Sequence, residues 1–228
     1  MSILITTAIA GCGLESSIYY APPNFHVDGS GPIFLTHNTA NIDGSFLGYD
    51  VYYRVYHDSD AAASDLSLGA TLSDTNNYTP ISALNKLVVM GFTRMHYLES
   101  ENILNTNSPL LRVANVIQQS QYTVQVNVLP NWYYTVSDDG DTTKTPLVRN
   151  TSTPGSLASF NSQYSIGNAD YADKTNVPEA HQTVYIVMFA VAYGFDINST
   201  SSSSTILSFP IGVELTVILP STYPISFP

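Results

Sequence analysis

The chain has 228 residues, of which 44% are hydrophobic and 11% charged, and its net charge is −11. This length can bury a sizeable core, and the high hydrophobic content excludes a disordered tail. The acidic balance argues against nucleic acid as a partner, because the protein as a whole would repel phosphate backbones. The longest apolar run, residues 184–194, is about half of the roughly 20 residues that a membrane-spanning helix needs.

The N-terminal segment is an apolar run that ends in small residues directly before Cys12, the only cysteine of the chain. The small residues Ala10 and Gly11 suit a signal peptidase that must close around an extended backbone, and the thiol that follows can carry a diacylglyceryl group. The motif Ile9-Ala10-Gly11-Cys12 therefore resembles the lipobox of bacterial lipoproteins, although no Lys or Arg precedes it. The alternative is that residues 3–10 form an ordinary first strand and that Cys12 is a buried small residue.

The lipoprotein resemblance implies a division of the N-terminal region. Residues 1–11 would be the signal peptide, Cys12 the lipid-bearing first residue of the mature protein, and residues 12–23 a tether. Several acyl chains on one cysteine would hold the protein on a membrane without a spanning helix. Gly13 at the second mature position implies the outer membrane in an organism with two membranes. The Cys-Gly-Leu start and the Tyr-rich strands are also similar to spirochaete lipoproteins.

Alternating apolar residues, bounded by turn-forming residues, predict β-strands along most of the chain. In chain order the predicted strands are residues 22–27, 32–37, 46–56, 86–94, 122–128, 132–137, 142–148, 183–195 and 205–219. Residues 102–119 fit either a strand or a short helix, and residues 151–168 are predicted to be a long surface loop. The expected fold class is all-β, an antiparallel β-sandwich.

The long third strand and the penultimate strand should share a core. Alternation places every second side chain of each strand on one face. We expect one common core for six of them, Tyr49, Val51, Tyr53, Tyr185, Val187 and Phe189. The second face of the penultimate strand is equally apolar, so its sheet should be covered on both sides.

The same strands carry a family resemblance. The opening Pro-Pro at residues 22–23, the run Gly-Tyr-x-Val-x-Tyr-Arg-Val from Gly48 and the run Tyr-x-Val-x-Phe-x-Val from Tyr185 resemble a fibronectin type III domain. The resemblance implies an immunoglobulin-like sandwich with Tyr185 as its corner tyrosine. The chain lacks the family's second-strand Trp, and residues 58–180 stand where the family has two short strands. We therefore expect residues 24–228 to form a single β-sandwich domain with an insertion at 58–180.

The third strand also carries the candidate binding residues. Tyr52 and Tyr56 flank Arg54 on the face opposite to the predicted core, and such a stripe could stack a sugar or hold a protein partner. The alternative is that the insertion covers these side chains and that a partner binds the loops.

An acidic turn is the candidate metal site. Asp138, Asp139 and Asp141 bring three carboxylates within four residues, which could ligate calcium. The turn lacks the alternate spacing and the distal Glu of an EF-hand loop, and Asp-Gly at a hairpin tip is also what turn geometry selects. The five histidines are spread singly, without metal-ligand spacing, and no cofactor is predicted: His26, His37, His57, His96 and His181.

Two classes of function remain. No Ser lies in a nucleophile elbow, and the only Cys belongs to the lipobox, so we predict no enzyme activity. The leading class is a lipid-anchored cell-envelope protein that acts as a non-catalytic binding or structural module for a protein or glycan partner. The alternative is a secreted hydrolase acting on glycans, in which the fold would bring together carboxylates such as Asp50, Glu99 and Glu101.

Overall fold

The computed structural model describes most of the predicted domain in segments. The described residues are 19–29, 32–41, 45–100, 103–105, 111–112, 123–127, 133–137, 144–152, 156–159, 168–172, 183–195 and 205–218. The elements are, in chain order, β1 (Asn24–Val27), β2 (Ile33–Thr36), β3 (Phe46–Tyr56), α1 (Ser59–Ala70), a 3-10 turn (Thr71–Ser73), α2 (Pro80–Val89), β4 (Thr93–Arg94), β5 (His96–Ser100), β6 (Ile103–Asn105), β7 (Leu111–Arg112), β8 (Thr123–Asn127), β9 (Tyr133–Ser137), β10 (Thr145–Ser152), β11 (Ser156–Ser159), β12 (Thr183–Phe195), β13 (Thr205–Leu207) and β14 (Ile211–Ile218).

The strands form two sheets. One has eight strands in the order β1-β2-β8-β9-β10-β5-β6, with β11 also paired to β10. The other has six strands in the order β13-β12-β3-β4, with β14 also paired to β12 and β7 to β3. Strands predominate and the described part holds only two short α-helices, so the all-β prediction is confirmed at the level of class.

The main core lies between the two sheets. The eight-stranded sheet contributes Phe25, Ile33 and Leu147, and the six-stranded sheet contributes the buried side chains of one face of β3 and β12. Tyr49 and Tyr53 are fully buried in this core. Two sheets that bury their facing side chains in this way form the two layers of a sandwich.

The two helices cover the opposite face of the six-stranded sheet. Asp58 caps α1 by accepting from the backbone N–H groups of Asp60 and Ala61, and Thr79 and Ser82 form a capping box that starts α2. The helices and this face of the sheet enclose a second core, which contains Ala62, Leu72, Ala83, Leu87, Phe92, Tyr52, Tyr56, Val187, Phe189 and Val191. The sheet is therefore covered on both sides, as its apolar β12 predicts.

One expectation about the core is wrong. Tyr185, Val187 and Phe189 do not share a core with Tyr49, Val51 and Tyr53. The pairing of β3 with β12 places Tyr53 opposite Met188 and Val51 opposite Ala190. Directly paired residues point to the same face, so Ile186, Met188 and Ala190 join the core between the sheets and their odd-numbered neighbours face the helices.

Several predicted boundaries also change. Residues 86–94 are not one strand, because α2 continues to Val89 and only Thr93–Arg94 joins β3. The helix buries Pro80, Ala83 and Leu87 at helical spacing, whereas the apolar run after Lys86 suggested a strand. Part of the predicted loop 151–168 is strand, because β11 pairs with β10. The final predicted strand divides into β13 and β14, separated by Ser208–Pro210, since proline cannot donate to a sheet ladder.

Candidate functional site

The stripe predicted for binding lies beneath the helices. Tyr56 is buried and Tyr52 is only 9% exposed, and both belong to the core between the helices and the six-stranded sheet. Arg54 lies between them on β3 and is partly exposed. Residues 59–89 therefore cover the stripe.

Arg54 joins the strand to the helix layer and to a second segment. Its Nη1 donates to Asp65 Oδ2 of α1 at 3.1 Å and to the carbonyl oxygen of Met90, which follows α2. Its Nη2 donates to the carbonyl oxygen of Ala172 at 3.3 Å. The guanidinium lies 5.6 Å from the centre of the Tyr56 ring, within the range of a cation–π contact.

Both tyrosines of the stripe have a raised pKa. The Tyr56 hydroxyl donates to Asp65 Oδ2 at 2.7 Å. Burial, with the hydrogen bond to Asp65, raises the pKa of Tyr56, and burial, with the nearby Asp50 carboxylate, raises the pKa of Tyr52 to about 12. These phenols can donate hydrogen bonds but cannot act as bases near neutral pH.

The carboxylates considered for hydrolysis have different positions. Asp50 lies on β3 and accepts from Arg94 Nη2 at 2.6 Å, in an ion pair of which the Asp50 side chain is 9% exposed. Glu99 lies within β5, and Glu101 is outside the described residues. A carboxylate held by an adjacent arginine is stabilised as an anion, which does not suit a general acid.

A buried ion pair between the sheets was not predicted. Arg149 on β10 contacts Asp170 through two hydrogen bonds of 2.8 Å, and both side chains are 0% exposed. The Tyr53 hydroxyl donates to the same carboxylate at 3.0 Å, and Arg149 also donates to Asn168 at 3.0 Å. Backbone hydrogen bonds between Val55 and the segment around Asp170 complete the link, so this network ties β10, β3 and residues 168–172 together.

The described histidines pack against aromatic rings or strands. The His37 Nδ1 lies 2.9 Å from the Tyr49 hydroxyl, and burial lowers the pKa of His37. His26 stacks on Phe34, and His57 stacks on Tyr171. His96 begins β5, where burial lowers its pKa, and His181 is outside the described residues.

Four aromatic residues gather where the described chain begins. Tyr19 meets Phe209 edge-on at 5.8 Å, and Tyr193 meets Phe195 edge-on at 5.6 Å. Tyr19 is 45% exposed and Phe195 is 39% exposed. The backbone N–H of Tyr20 donates to the carbonyl oxygen of Leu207, which places this end of the chain beside β13. We call Tyr19, Tyr193, Phe195 and Phe209 the aromatic rim.

Two other predicted sites fall on parts of the chain that the structure does not describe. Cys12 and the acidic turn of Asp138, Asp139 and Asp141 lie outside the described residues. Within the described part of the chain, no group of three or more His, Cys, Asp or Glu side chains could hold a metal ion. Among the helices described, none is both long and apolar enough to cross a membrane.

An open groove of about 630 Å³ lies along the segment that connects the end of α1 to α2. Its polar lining is engaged locally, because the Asp74 carboxylate accepts from Asn76 and Asn77, and these hydrogen bonds lower the Asp74 pKa. The groove is lined by Ala70, Thr71, Ser73, Asp74, Asn77 and Tyr78.

Comparison of the chain with protein-family models, with curated proteins and with solved structures found no significant match in any of the three.

Proposed function

We propose that the chain is a lipid-anchored cell-envelope protein, attached through Cys12, whose two-sheet domain is a non-catalytic binding or structural module. The observation that carries the proposal is the motif Ile9-Ala10-Gly11-Cys12, in which small residues precede the only cysteine. In an organism with two membranes, Gly13 favours the outer membrane. The partner of the domain is a protein or a glycan.

The use of charge in the domain supports a structural rather than a chemical role. Three arginines each bind a carboxylate that lies on another segment of the chain: Arg54 binds Asp65, Arg94 binds Asp50 and Arg149 binds Asp170. Each pair joins two segments that the fold must hold together. Asp50, one of the carboxylates considered for glycan hydrolysis, is thus already engaged by Arg94.

We further propose that the domain is a fibronectin type III-like sandwich with an insertion at residues 58–180. In an immunoglobulin-type sandwich the first, second and fifth strands lie in one sheet, and the third pairs with the sixth and the sixth with the seventh. The neighbours β1-β2-β8 and the neighbours β3-β12-β14 have this order. With α1 and α2 over the β3 stripe, a partner would bind the loops rather than Tyr52, Arg54 and Tyr56.

The test is to express the complete chain and the Cys12→Ala variant in a bacterial host with a lipoprotein pathway. We expect the unaltered protein to start at Cys12, to incorporate a labelled fatty acid and to enter the detergent phase on phase separation. Cys12→Ala should lose the label and enter the aqueous phase, because no acyl acceptor remains. Ser16→Ala, in the same tether, should behave as the unaltered chain.

Intact mass spectrometry shows whether the native protein starts at Cys12 and carries lipid. A native protein that retains Met1 and carries no lipid would refute the anchor. A hydrolase assay on cell-wall glycans, run on the same preparation, addresses the alternative function, since turnover that depends on Asp50 would overturn the non-catalytic assignment.

A further inference from the structure

The aromatic rim stands out because it is exposed and uncharged in an acidic protein. The chain carries a net charge of −11, yet none of residues 19–21, 192–195 and 205–213 is charged. These segments are neighbours, because Tyr20 bonds to Leu207 and Phe195 pairs with Thr205. The four rings of the rim therefore lie on uncharged segments, and two of them, Tyr19 and Phe195, are partly in solvent.

The rim has one orientation on the sheet. Tyr193 and Phe209 pack against the core between the helices and the six-stranded sheet. Tyr20, the neighbour of Tyr19, packs into the core between the sheets, where its ring contacts Phe46. Since neighbouring side chains of an extended segment point to opposite faces, Tyr19 lies with Phe209 on the helix side.

The short segment before Tyr19 limits the distance between the aromatic rim and the proposed lipid on Cys12. Cys12 is seven residues before Tyr19, and seven extended residues span at most about 25 Å. A lipid on Cys12 would therefore keep the rim within that distance of the membrane surface. Tyr and similar amphipathic rings concentrate at the boundary between headgroups and acyl chains, where the ring is apolar and its polar group stays wet.

We propose that the aromatic rim docks onto the headgroup region of the bilayer beside the Cys12 anchor and so sets how the domain stands on the membrane. The proposal rests on the proposed lipid anchor. A lipid surface is the partner that fits, because the four rings carry no charge and Tyr19 is only seven residues from Cys12.

The far end of the same sheet provides the control position. Val89 ends α2 and is 78% exposed, and the next residue, Met90, accepts a hydrogen bond from Arg54. Arg54 is eight residues along β3 from Phe46, which is roughly 26 Å in a strand. Phe46 pairs with Gly194 beside the rim. A bilayer that contacts the rim should therefore leave Val89 in water.

The experiment uses the complete lipidated chain in phosphatidylcholine vesicles. An environment-sensitive fluorophore is attached in Phe195→Cys, and in Val89→Cys as the control at the far end of the sheet, and each label is compared with the same label in buffer. Acylation blocks Cys12, so each variant has one free thiol. We expect the label at 195 to emit at shorter wavelength, to resist aqueous iodide and to be quenched by lipids brominated near the headgroup, whereas the label at 89 should behave as in buffer.

A second substitution separates docking from insertion of the label itself. Tyr19→Ser in the labelled Phe195→Cys chain should increase iodide quenching at least twofold, whereas Leu68→Ser, at a position of matched 46% exposure on α1, should not. Equal quenching of the labels at 195 and 89, or no effect of Tyr19→Ser, would overturn the docking. Mass spectrometry of the same sample separates the lipid anchor from the docking of the rim. A lipidated chain in which the label at 195 is not protected refutes the docking alone. A native chain without lipid refutes both the anchor and the docking.

Discussion

At the scale of single residues, close packing against Phe189 decides how α1 lies on the sheet. A Cβ atom added to Gly69 of α1 would overlap the Phe189 ring, and one added to Gly212 of β14 would overlap the same ring. Phe189 is fully buried and contacts both glycines. The helix therefore approaches the sheet as closely as a backbone without a side chain allows.

Gly69→Ala tests this approach, because two effects of opposite sign compete. Alanine favours a helix over glycine by about 1 kcal/mol, but overpacking a well-packed core costs about 1–3 kcal/mol. The overlap lies with a buried ring, so we expect a net loss of stability in urea unfolding. Ser67→Ala, exposed on the same helix, should change stability little. A Gly69→Ala variant as stable as the unaltered chain would contradict the packing.

The buried pair of Arg149 and Asp170 gives a second prediction at this scale. Removing one member leaves the other charge buried without compensation, which costs about 3–5 kcal/mol. Arg149→Met should lower the free energy of unfolding by that order, and adding Asp170→Asn should cost less in this background than in the unaltered chain. The same cycle with Arg54→Met and Asp65→Asn is the control, because these side chains are 22% and 25% exposed. There the coupling should be about 1 kcal/mol or less. Equal coupling in both cycles would contradict the structural role of the buried pair.

At the scale of elements, alternation predicts strands well and their relation to one another poorly. The predicted strands at β1, β2, β3, β8, β9 and β12 are confirmed, because period-two patterning is a local property. Which face of β12 meets which face of β3 depends on their register, and a shift of one residue exchanges the faces. Both faces of β12 are apolar, so the sequence of that strand contains no information on the choice.

The helices illustrate a different limit. Thr79, Pro80 and Ser82 are a recognisable helix start, but the apolar run that follows Lys86 also fits a strand. For α1, Asp58 is a good cap, yet the helix is rich in Ser and Ala and buries only Ala62 and Gly69 in full. Tertiary contact with the sheet, rather than a strong amphipathic pattern, stabilises this helix.

The sequence predicts which face of β3 carries the candidate site, but not which residues contact that site. The spacing of Tyr52, Arg54 and Tyr56 placed them correctly on one face of β3, but Asp65 and Met90, which bind Arg54, reach it only because the chain folds back as helices. The pair of Arg149 and Asp170, with Tyr53, joins positions up to 117 residues apart. No local pattern marks such a contact, because its partners come from different layers.

The helix layer over β3 predicts a stability loss at alkaline pH. The pKa of Tyr52 is raised to about 12 in the fold, above its ordinary value of 10. Between these pH values the folded state keeps the Tyr52 proton that the unfolded state releases. The contribution of Tyr52 to the free energy of unfolding is therefore complete below pH 10 and is lost as the pH rises towards 12. A difference of this size corresponds to roughly 2–3 kcal/mol.

Unfolding free energies measured by denaturant titration between pH 9 and pH 12 check this prediction. Tyr52→Phe should show a shallower decline than the unaltered chain, since phenylalanine has no proton to lose. Tyr78→Phe, at a partly exposed position beside the groove, provides the comparison. If the unfolding free energy declines equally in the Tyr52→Phe variant and in the unaltered chain, ionisation of Tyr52 does not cause the loss of stability.

At the scale of the whole molecule, β12 is the centre of the structure. It pairs with β3 on one edge and with β14 and β13 on the other. Its residues Ile186 to Ala192 are at most 1% exposed, because one face lies against the eight-stranded sheet and the other against the helices. The helix layer is less enclosed, since Ile81 and Val88 of α2 are each 52% exposed.

Hydrogen exchange should be slower in the enclosed strand β12 than in the more exposed helix α2. Amides of β12 can open only when both layers separate, so they should exchange with the global free energy of unfolding, whereas α2 should open at lower free energy. Mass spectrometry of peptides from the two elements, compared with equilibrium unfolding in denaturant, measures both quantities. Ile33→Val, in the core between the sheets, should lower global stability by about 0.5–1.5 kcal/mol and speed β12 exchange by the same free energy. Two results would contradict this prediction: exchange in β12 as fast as in α2, or exchange in β12 that Ile33→Val does not change. Either result would mean that β12 amides exchange without global unfolding.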